Sequence, residues 1–231
     1  MDLKEVIEIL TREDITKLYT TVYTDVSKCE LLDDYCGIHH KDGDMIYMMM
    51  GGMMHASLLD LYNESGLMDC KDVTAFCIDI LKDAELLIFI CHDLSIKHLD
   101  NSPDAIFRGV SYIDDNPNDE PEHPILSSII ILAENEPTVT SETYTHIMCH
   151  ELVHFMFEYM QKILGYDELI SDIKEDNVLE ELLCDMLPFF YLNVERNIKS
   201  MIDDYSEYES KYIKTNVLEN RLKYIKELQS L

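Results

Sequence analysis

The feature of this 231-residue chain that most restricts its fold is a long helical pattern at residues 145–164, THIMCHELVHFMFEYMQKIL. Apolar side chains recur there at the spacing of a helix, and the pattern H-E-x-x-H occupies residues 150–154. On a helix, His150 and His154 lie one turn apart on one face, about 6 Å along the axis. Two imidazoles so placed can bind one Zn²⁺, with Glu151 close enough to hold a metal-bound water.

A catalytic zinc needs a third protein ligand, because three side chains bind the metal and water takes the fourth position. The downstream segment NVLEELLCDML, residues 177–187, offers Glu180, Glu181 and Asp185. Glu181 and Asp185 are four residues apart and therefore share a helix face. One of them can bind the metal while the other accepts a hydrogen bond from the far nitrogen of a ligand histidine.

An H-E-x-x-H helix followed by a helix bearing E-x-x-x-D resembles the gluzincins, the thermolysin-like clan of zinc peptidases. The resemblance covers residues 125–190 at most, and it does not single out a family within the clan. It implies that Glu181 is the third ligand and that Asp185 supports His150. It also implies that the strand before the motif helix is an edge strand that pairs with an extended substrate.

In this chain the downstream pattern departs from the usual gluzincin form at two positions. Glu180 stands where Asn is common, and Cys184 stands where Ser or Ala is common. Glu180 stays open as an alternative ligand. We interpret Cys184 and Cys149 as buried structural thiols, because each is rotated about 100° around its helix from the adjoining site residue. His146 is too far along the helix from His154 to share its metal.

The rest of the sequence predicts an α+β, zincin-like fold with a small mixed or antiparallel sheet. Helices are expected over residues 12–35, 45–62 and 71–83, and strands over residues 85–92, 106–113 and 125–133. The polar segment 114–124 is a predicted loop. The motif helix is expected over 142–164, ended by Gly165, followed by a helix over 168–193 broken near Asn177 and one or two helices over 197–229. The expected domains are a helical N-terminal region, residues 1–84, and a catalytic domain, residues 85–231, one continuous domain being the alternative.

Composition limits the partners. The chain carries 46 acidic residues against 18 basic ones, a net charge of −28, so direct nucleic-acid binding and attraction to anionic membranes are not expected. The seven cysteines are scattered singly, and the N-terminus lacks a signal-peptide pattern. Both features predict an intracellular, cytoplasmic protein. A membrane span is not expected, because the most apolar long stretch, residues 45–62, falls short of a spanning segment. The oligomeric state is not predicted.

The sequence therefore predicts a zinc metallopeptidase whose ligands are His150, His154 and Glu181. Glu151 is the general base, Asp185 supports His150, and the substrate is a protein or peptide. Two alternatives remain open. One is a catalytically inactive zincin that acts as a binding protein. The other is an acidic interaction protein, or nucleic-acid mimic, in which the motif is fortuitous.

Overall fold

The computed structural model describes residues 2–27, 72–81, 84–92, 111–112, 125–133, 141–212 and 218–230, and the surroundings of side chains within 2–27, 145–146, 148–209 and 221–230. The helices in these ranges are α1 (Leu3–Leu10), α2 (Glu13–Ser27), α3 (Ser141–Lys162), α4 (Asp167–Glu175), α5 (Asn177–Tyr191), α6 (Ile198–Tyr212) and α7 (Leu218–Leu228). The strands are β1 (Asp72–Leu81), β2 (Ala84–His92), β3 (Ser111–Tyr112) and β4 (Ile125–Ala133). None of the helices in the described ranges is long and apolar enough to cross a membrane.

The strands form a four-stranded sheet in the order β1-β2-β4-β3. β1 pairs with β2 antiparallel, β2 pairs with β4 parallel, and the short β3 pairs with β4 antiparallel. β4 therefore has a neighbour on both sides at Ser128 and Ile129, where β3 pairs with it. This position differs from the predicted edge strand, because an inner strand has no free hydrogen-bonding side to offer a substrate there.

Several predicted elements lie elsewhere or have another type. The helix predicted over 71–83 is wrong, because Asp72–Leu81 is strand β1. Its apolar run is rich in β-branched residues, which suit a pleated strand paired along its length. Within the predicted strand 106–113, the structure assigns a strand to Ser111–Tyr112. The predicted helix 45–62 and the predicted loop 114–124 lie outside the described residues.

The prediction of an α+β zincin-like fold is wrong for the part of the chain whose side chains the structure describes. That part lies within residues 2–27, 145–209 and 221–230, is mostly helical, and contains no strand. The sequence pattern predicts one α+β domain that contains both the strands and the Glu181 helix. In the structure, helix packing alone forms the core around α5, because this helix is apolar over most of its circumference and other helices cover it.

The chain divides into two compact units. One unit comprises residues 1–24 and 152–231, and the other comprises residues 25–151. The four strands belong to the second unit, and residues 84 and 85, where the sequence predicts a domain boundary, also fall within it. The division falls within α3, between Glu151 and Leu152. The H-E-x-x-H segment nevertheless lies in one uninterrupted helix.

The helical unit is built around α5, which packs against α4, α6 and α7. Its side chains are buried without interruption from Leu182 to Pro188, as expected for a central helix. At the end of α5 the ring of Tyr191 lies 4.5 Å, centroid to centroid, from that of Tyr19 in α2. The Tyr191 hydroxyl donates to the carbonyl oxygen of Leu10 at 2.9 Å, which ties α5 to the end of α1.

Local signals in the sequence placed the helices next to the motif correctly. The motif helix ends at Lys162, and Gly165 follows with φ +75°, a left-handed conformation that favours glycine. The break predicted near Asn177 is confirmed, because α4 ends at Glu175 and α5 begins at Asn177. The predicted C-terminal helices are α6 and α7.

Candidate functional site

Helix α3 positions the histidines of the motif. The apolar residues around them are buried, Met148 and Leu152 completely, and this burial fixes the helix face on which the histidines lie. Glu151 is also buried, with 6% of its surface exposed. A carboxylate in such surroundings interacts more strongly with nearby charges and hydrogen-bond donors than it would in water.

Helix α5 supplies the second side of the site, and its start is fixed by Asp176. The carboxylate of this residue accepts hydrogen bonds from the backbone N–H groups of Val178 and Leu179, both at 3.2 Å, as an N-cap residue does. It also accepts a hydrogen bond from the hydroxyl of Tyr224 in α7. That bond lowers the pKa of Asp176 and raises the pKa of Tyr224 to about 12. The capped start holds Glu180 and Glu181 in the first turns of the helix.

His154 lies between two carboxylates of α5. Its Nδ1 is 3.1 Å from Oε1 of Glu180, a hydrogen-bonding distance, and its Nε2 is 3.7 Å from Oε1 of Glu181. An ionised carboxylate only accepts, so the Nδ1–H group donates to Glu180. In the neutral imidazole, Nε2 then carries a lone pair that faces Glu181. Glu180 therefore orients His154 as the outer carboxylate of a metal site orients a ligand histidine.

Three potential ligand atoms converge between α3 and α5. The side-chain donor atoms of His150, His154 and Cys184 all lie within 4.8 Å of one another. Two ligands of a tetrahedral zinc are roughly 3.4–3.6 Å apart, given the usual metal–ligand distances. The separations between the three atoms therefore need to shorten by about 1.4 Å or less for the group to bind one ion. Among the described residues, Glu181 does not belong to this group of mutually close atoms.

Asp185 lies against α7. Its carboxylate accepts a hydrogen bond from Nη1 of Arg221, and both side chains are 11% exposed. The same nitrogen donates to the Tyr205 hydroxyl at 3.0 Å, and that hydroxyl donates to Oε1 of Glu209 at 3.2 Å. This series of hydrogen bonds links α5, α6 and α7 through one buried charge pair. The predicted support of His150 by Asp185 stays a prediction.

Burial and charge act in opposite directions on this network. Burial alone lowers the pKa of Arg221, but the carboxylate of Asp185 and the hydroxyl of Tyr205 more than offset it, so the pKa of Arg221 stands above its ordinary value. Burial raises the pKa of Tyr205, and Asp185 raises it further. Arg221 is therefore a permanent cation and Tyr205 a neutral hydroxyl at neutral pH. The network neutralises the charge of Asp185, and none of its residues belongs to the group of three potential metal ligands.

Lys174 of α4 places a positive charge near the α5 side of the site. Its ammonium pairs with the carboxylate of Glu158 in α3. Burial lowers the pKa of Lys174, and the electrostatic influence of Glu180 and Cys184 opposes that shift.

Of the predicted ligands, His150 and His154 belong to the group of three donors, and Glu181 lies 3.7 Å from Nε2 of His154. Cys184, interpreted from the sequence as a buried structural thiol, is the third member of this group. A usable signal was present in the spacing, because Cys184 follows Glu180 by four residues and Glu181 by three, so all three share one face of α5. The interpretation as a structural thiol compares Cys184 only with the adjacent Asp185, from which it is rotated by about 100°, and so it misses the face that Cys184 shares with Glu180 and Glu181. Arg221 had no local signal, since it meets Asp185 from 36 residues further along the chain.

Comparison of the chain with protein-family models, with curated proteins and with solved structures finds no match.

Proposed function

We propose that this protein is a zinc-dependent hydrolase that cleaves peptide bonds. The observation that carries the proposal is the convergence of His150, His154 and Cys184 within 4.8 Å, on the helix that also bears Glu151 and on the helix beside it. Two imidazoles and one side chain from α5 make three protein ligands, which is the number that a catalytic zinc takes. The peptide substrate comes from the resemblance of the motif to gluzincins.

The surroundings of His154 support a cation at this position. Its Nδ1 lies 3.1 Å from Oε1 of Glu180, and its Nε2 lies 3.7 Å from Oε1 of Glu181. Carboxylates on two sides of the ring make the local charge negative, which favours a bound cation. Measurement of the metal content tests whether that cation is a metal ion.

The position of Glu151 suits a general base. It follows His150 directly on α3, so its carboxylate lies on the edge of the helix face that the two histidines share. Zinc held by these side chains would supply Lewis-acid chemistry, which polarises the scissile carbonyl and lowers the pKa of a bound water. Glu151 accepts the proton of the attacking water and passes it to the amine nitrogen of the broken C–N bond. Low exposure strengthens the hydrogen bonds that the carboxylate makes in both steps.

The test begins with metal content, measured by mass spectrometry on the full chain purified without chelators or a metal-binding tag. We expect about one zinc per chain in the wild type and in His146→Ala, and much less in His154→Ala. His146 is the matched control because it lies on the same helix, outside the group of three donors. No metal in the wild type after zinc is restored at neutral pH would refute the site, and a protonated His154 between two carboxylates would then explain the geometry.

Cleavage of a peptide library then tests the reaction. Glu151→Gln keeps the size of the side chain and removes its basicity. We expect this variant to retain zinc and to lose at least about 100-fold in cleavage rate, the usual contribution of a general base. Zinc binding without cleavage by the wild type would refute the hydrolase and leave an inactive zincin that binds a partner. Equal rates in wild type and Glu151→Gln would refute the role of Glu151.

A further inference from the structure

We infer that the thiolate of Cys184, rather than the carboxylate of Glu181, is the third protein ligand of the metal held by His150 and His154. The inference rests on the metal site of the proposed function and assigns its third ligand, which gives a donor set of two imidazoles and one thiolate. It departs from the gluzincin pattern, in which a glutamate on the second helix completes the site.

The distances favour Cys184. Its sulfur lies within 4.8 Å of a nitrogen of each histidine, so one ion can reach all three donors. Glu181 is 3.7 Å from Nε2 of His154 but is not mutually close to both histidines in the described structure. A third ligand must lie close to the position of the metal, which requires that it be near both histidines and not only one of them. By this criterion the three-atom group is nearer to a complete coordination shell than any set that includes Glu181.

Preorganisation points the same way. Cys184 is completely buried in the middle of α5, whereas the Glu181 side chain is 36% exposed. A buried cysteine has one side-chain torsion left to fix, while a half-exposed glutamate has three, so ordering glutamate costs more conformational entropy. A donor already held in place binds the ion with a smaller cost of this kind.

A positive charge lies near Cys184. The thiol group acts on the buried ammonium of Lys174 and opposes the effect of burial, which lowers the pKa of that ammonium. Lys174 belongs to α4, which packs against α5. The thiolate is the form that binds metal ions, and binding releases the proton of the thiol.

The donor set predicts the class of metal. Thiolate is a soft ligand, and with two imidazoles it selects borderline ions such as Zn²⁺ and Co²⁺ over the hard ions Mg²⁺ and Ca²⁺, which prefer oxygen. A set of two histidines and a glutamate discriminates less against hard ions. Selectivity and spectroscopy therefore distinguish the two third ligands independently of any hydrolytic activity.

The experiment is a Co²⁺ titration of the full chain, followed by absorption spectroscopy. Cobalt bound through sulfur gives a thiolate-to-cobalt charge-transfer band in the near ultraviolet, which cobalt bound through nitrogen and oxygen lacks. We expect the band in the wild type, in Glu181→Gln and in Cys149→Ala, and its loss in Cys184→Ala. Cys149 is the matched control, because it is also buried and adjoins His150 but lies outside the group of three donors. Zinc affinity should fall at least about 100-fold in Cys184→Ala, more than the loss of an outer-shell partner causes.

X-ray absorption of the wild-type zinc protein provides a measurement that needs no variant, in case Cys184→Ala does not fold. A sulfur neighbour at about 2.3 Å supports the inference, and a shell of nitrogen and oxygen alone at about 2.0–2.1 Å overturns it. Persistence of the charge-transfer band in folded Cys184→Ala also overturns it, because another cysteine would then be the donor. So does loss of the band in Glu181→Gln together with retention of the zinc affinity in Cys184→Ala.

The outcomes separate this inference from the hydrolase proposal. A sulfur-bound metal without peptide cleavage supports the Cys184 ligand and overturns the hydrolase. Cleavage with a metal bound only by nitrogen and oxygen supports the hydrolase and overturns the Cys184 ligand. A wild-type protein that binds neither Zn²⁺ nor Co²⁺ overturns both.

Discussion

The pair of Asp185 and Arg221 offers the sharpest test of how the helical unit is held together. Both side chains are 11% exposed, and burial of two charges is tolerated only because each neutralises the other. Arg221→Met keeps the length and apolar stem of the side chain but leaves the carboxylate buried without its cation. Breaking a buried pair in this way costs about 3–5 kcal/mol in the free energy of unfolding. A domain is stable by about 5–15 kcal/mol, so the loss is a large fraction of the total.

Urea unfolding followed by circular dichroism measures the effect. With a slope of about 2–3 kcal/mol per molar urea, the midpoint of Arg221→Met should fall by about 1–2.5 M. The double variant Asp185→Asn/Arg221→Met should be more stable than the sum of the single changes predicts, because it removes both charges together. Lys4→Met is the control, since Lys4 and Glu8 form a pair 3.8 Å apart whose side chains are 63% and 66% exposed. Pairs so exposed contribute less than about 1 kcal/mol.

Two results would contradict this reasoning. One is a loss in Arg221→Met no greater than that in Lys4→Met, which would mean that water reaches Asp185 and screens its charge. The other is additivity of Asp185→Asn and Arg221→Met within about 0.5 kcal/mol, the limit for residues that do not interact. Either result would remove Arg221 as the partner that neutralises Asp185 beside the site.

Three further predictions concern the connections around the site. Gly165→Ala should lower the free energy of unfolding by about 1–2 kcal/mol, because Gly165 has φ +75°; an unchanged urea midpoint would contradict the left-handed conformation. Tyr191→Phe should cost about 0.5–1.5 kcal/mol, since its buried hydroxyl loses the 2.9 Å bond to the Leu10 carbonyl and leaves that acceptor unsatisfied; no change in urea unfolding would speak against that bond. The Tyr224 hydroxyl, with its pKa raised to about 12, stabilises the fold below pH 10, the ordinary tyrosine value, and this contribution should be lost as pH rises from about 10 through 12. Ultraviolet titration should show one tyrosine fewer ionising near pH 10 in the wild type than in Asp176→Ala, and equal titrations would contradict the bond to Asp176.

The local signals that the sequence carries for helix ends were sufficient for the region around the motif. Gly165 marks the end of the α3 segment, and Asp176 marks the start of α5, because both act through bonds and torsions within a few residues. The segment at 72–81 was misassigned for a different reason. An apolar run of that length fits a helix or a strand, and the choice depends on pairing with β2, which no local pattern encodes.

The candidate site shows the same limit. Spacing within one helix predicts which side chains share a face, but it does not place Glu181 of α5 beside His154 of α3. Their 3.7 Å approach depends on the packing of the two helices. The partner of Asp185 is Arg221 of α7, 36 residues further along the chain. The periodicity of α5 does not predict this pair. Two carboxylates four residues apart share a face, yet α5 turns one toward His154 and the other toward Arg221.

The third ligand is therefore decided by the packing of α5 rather than by its sequence motif. Glu181 and Cys184 are separated by about 60° around the helix, so a rotation of less than one residue exchanges which of them faces the histidines. That rotation is fixed by the completely buried side chains of Leu182, Leu183 and Leu187, each of which occupies a defined position in a close-packed core. A motif that reads E-x-x-x-D describes two carboxylates that can reach a metal. The core that surrounds α5 determines whether a carboxylate or a thiolate does so.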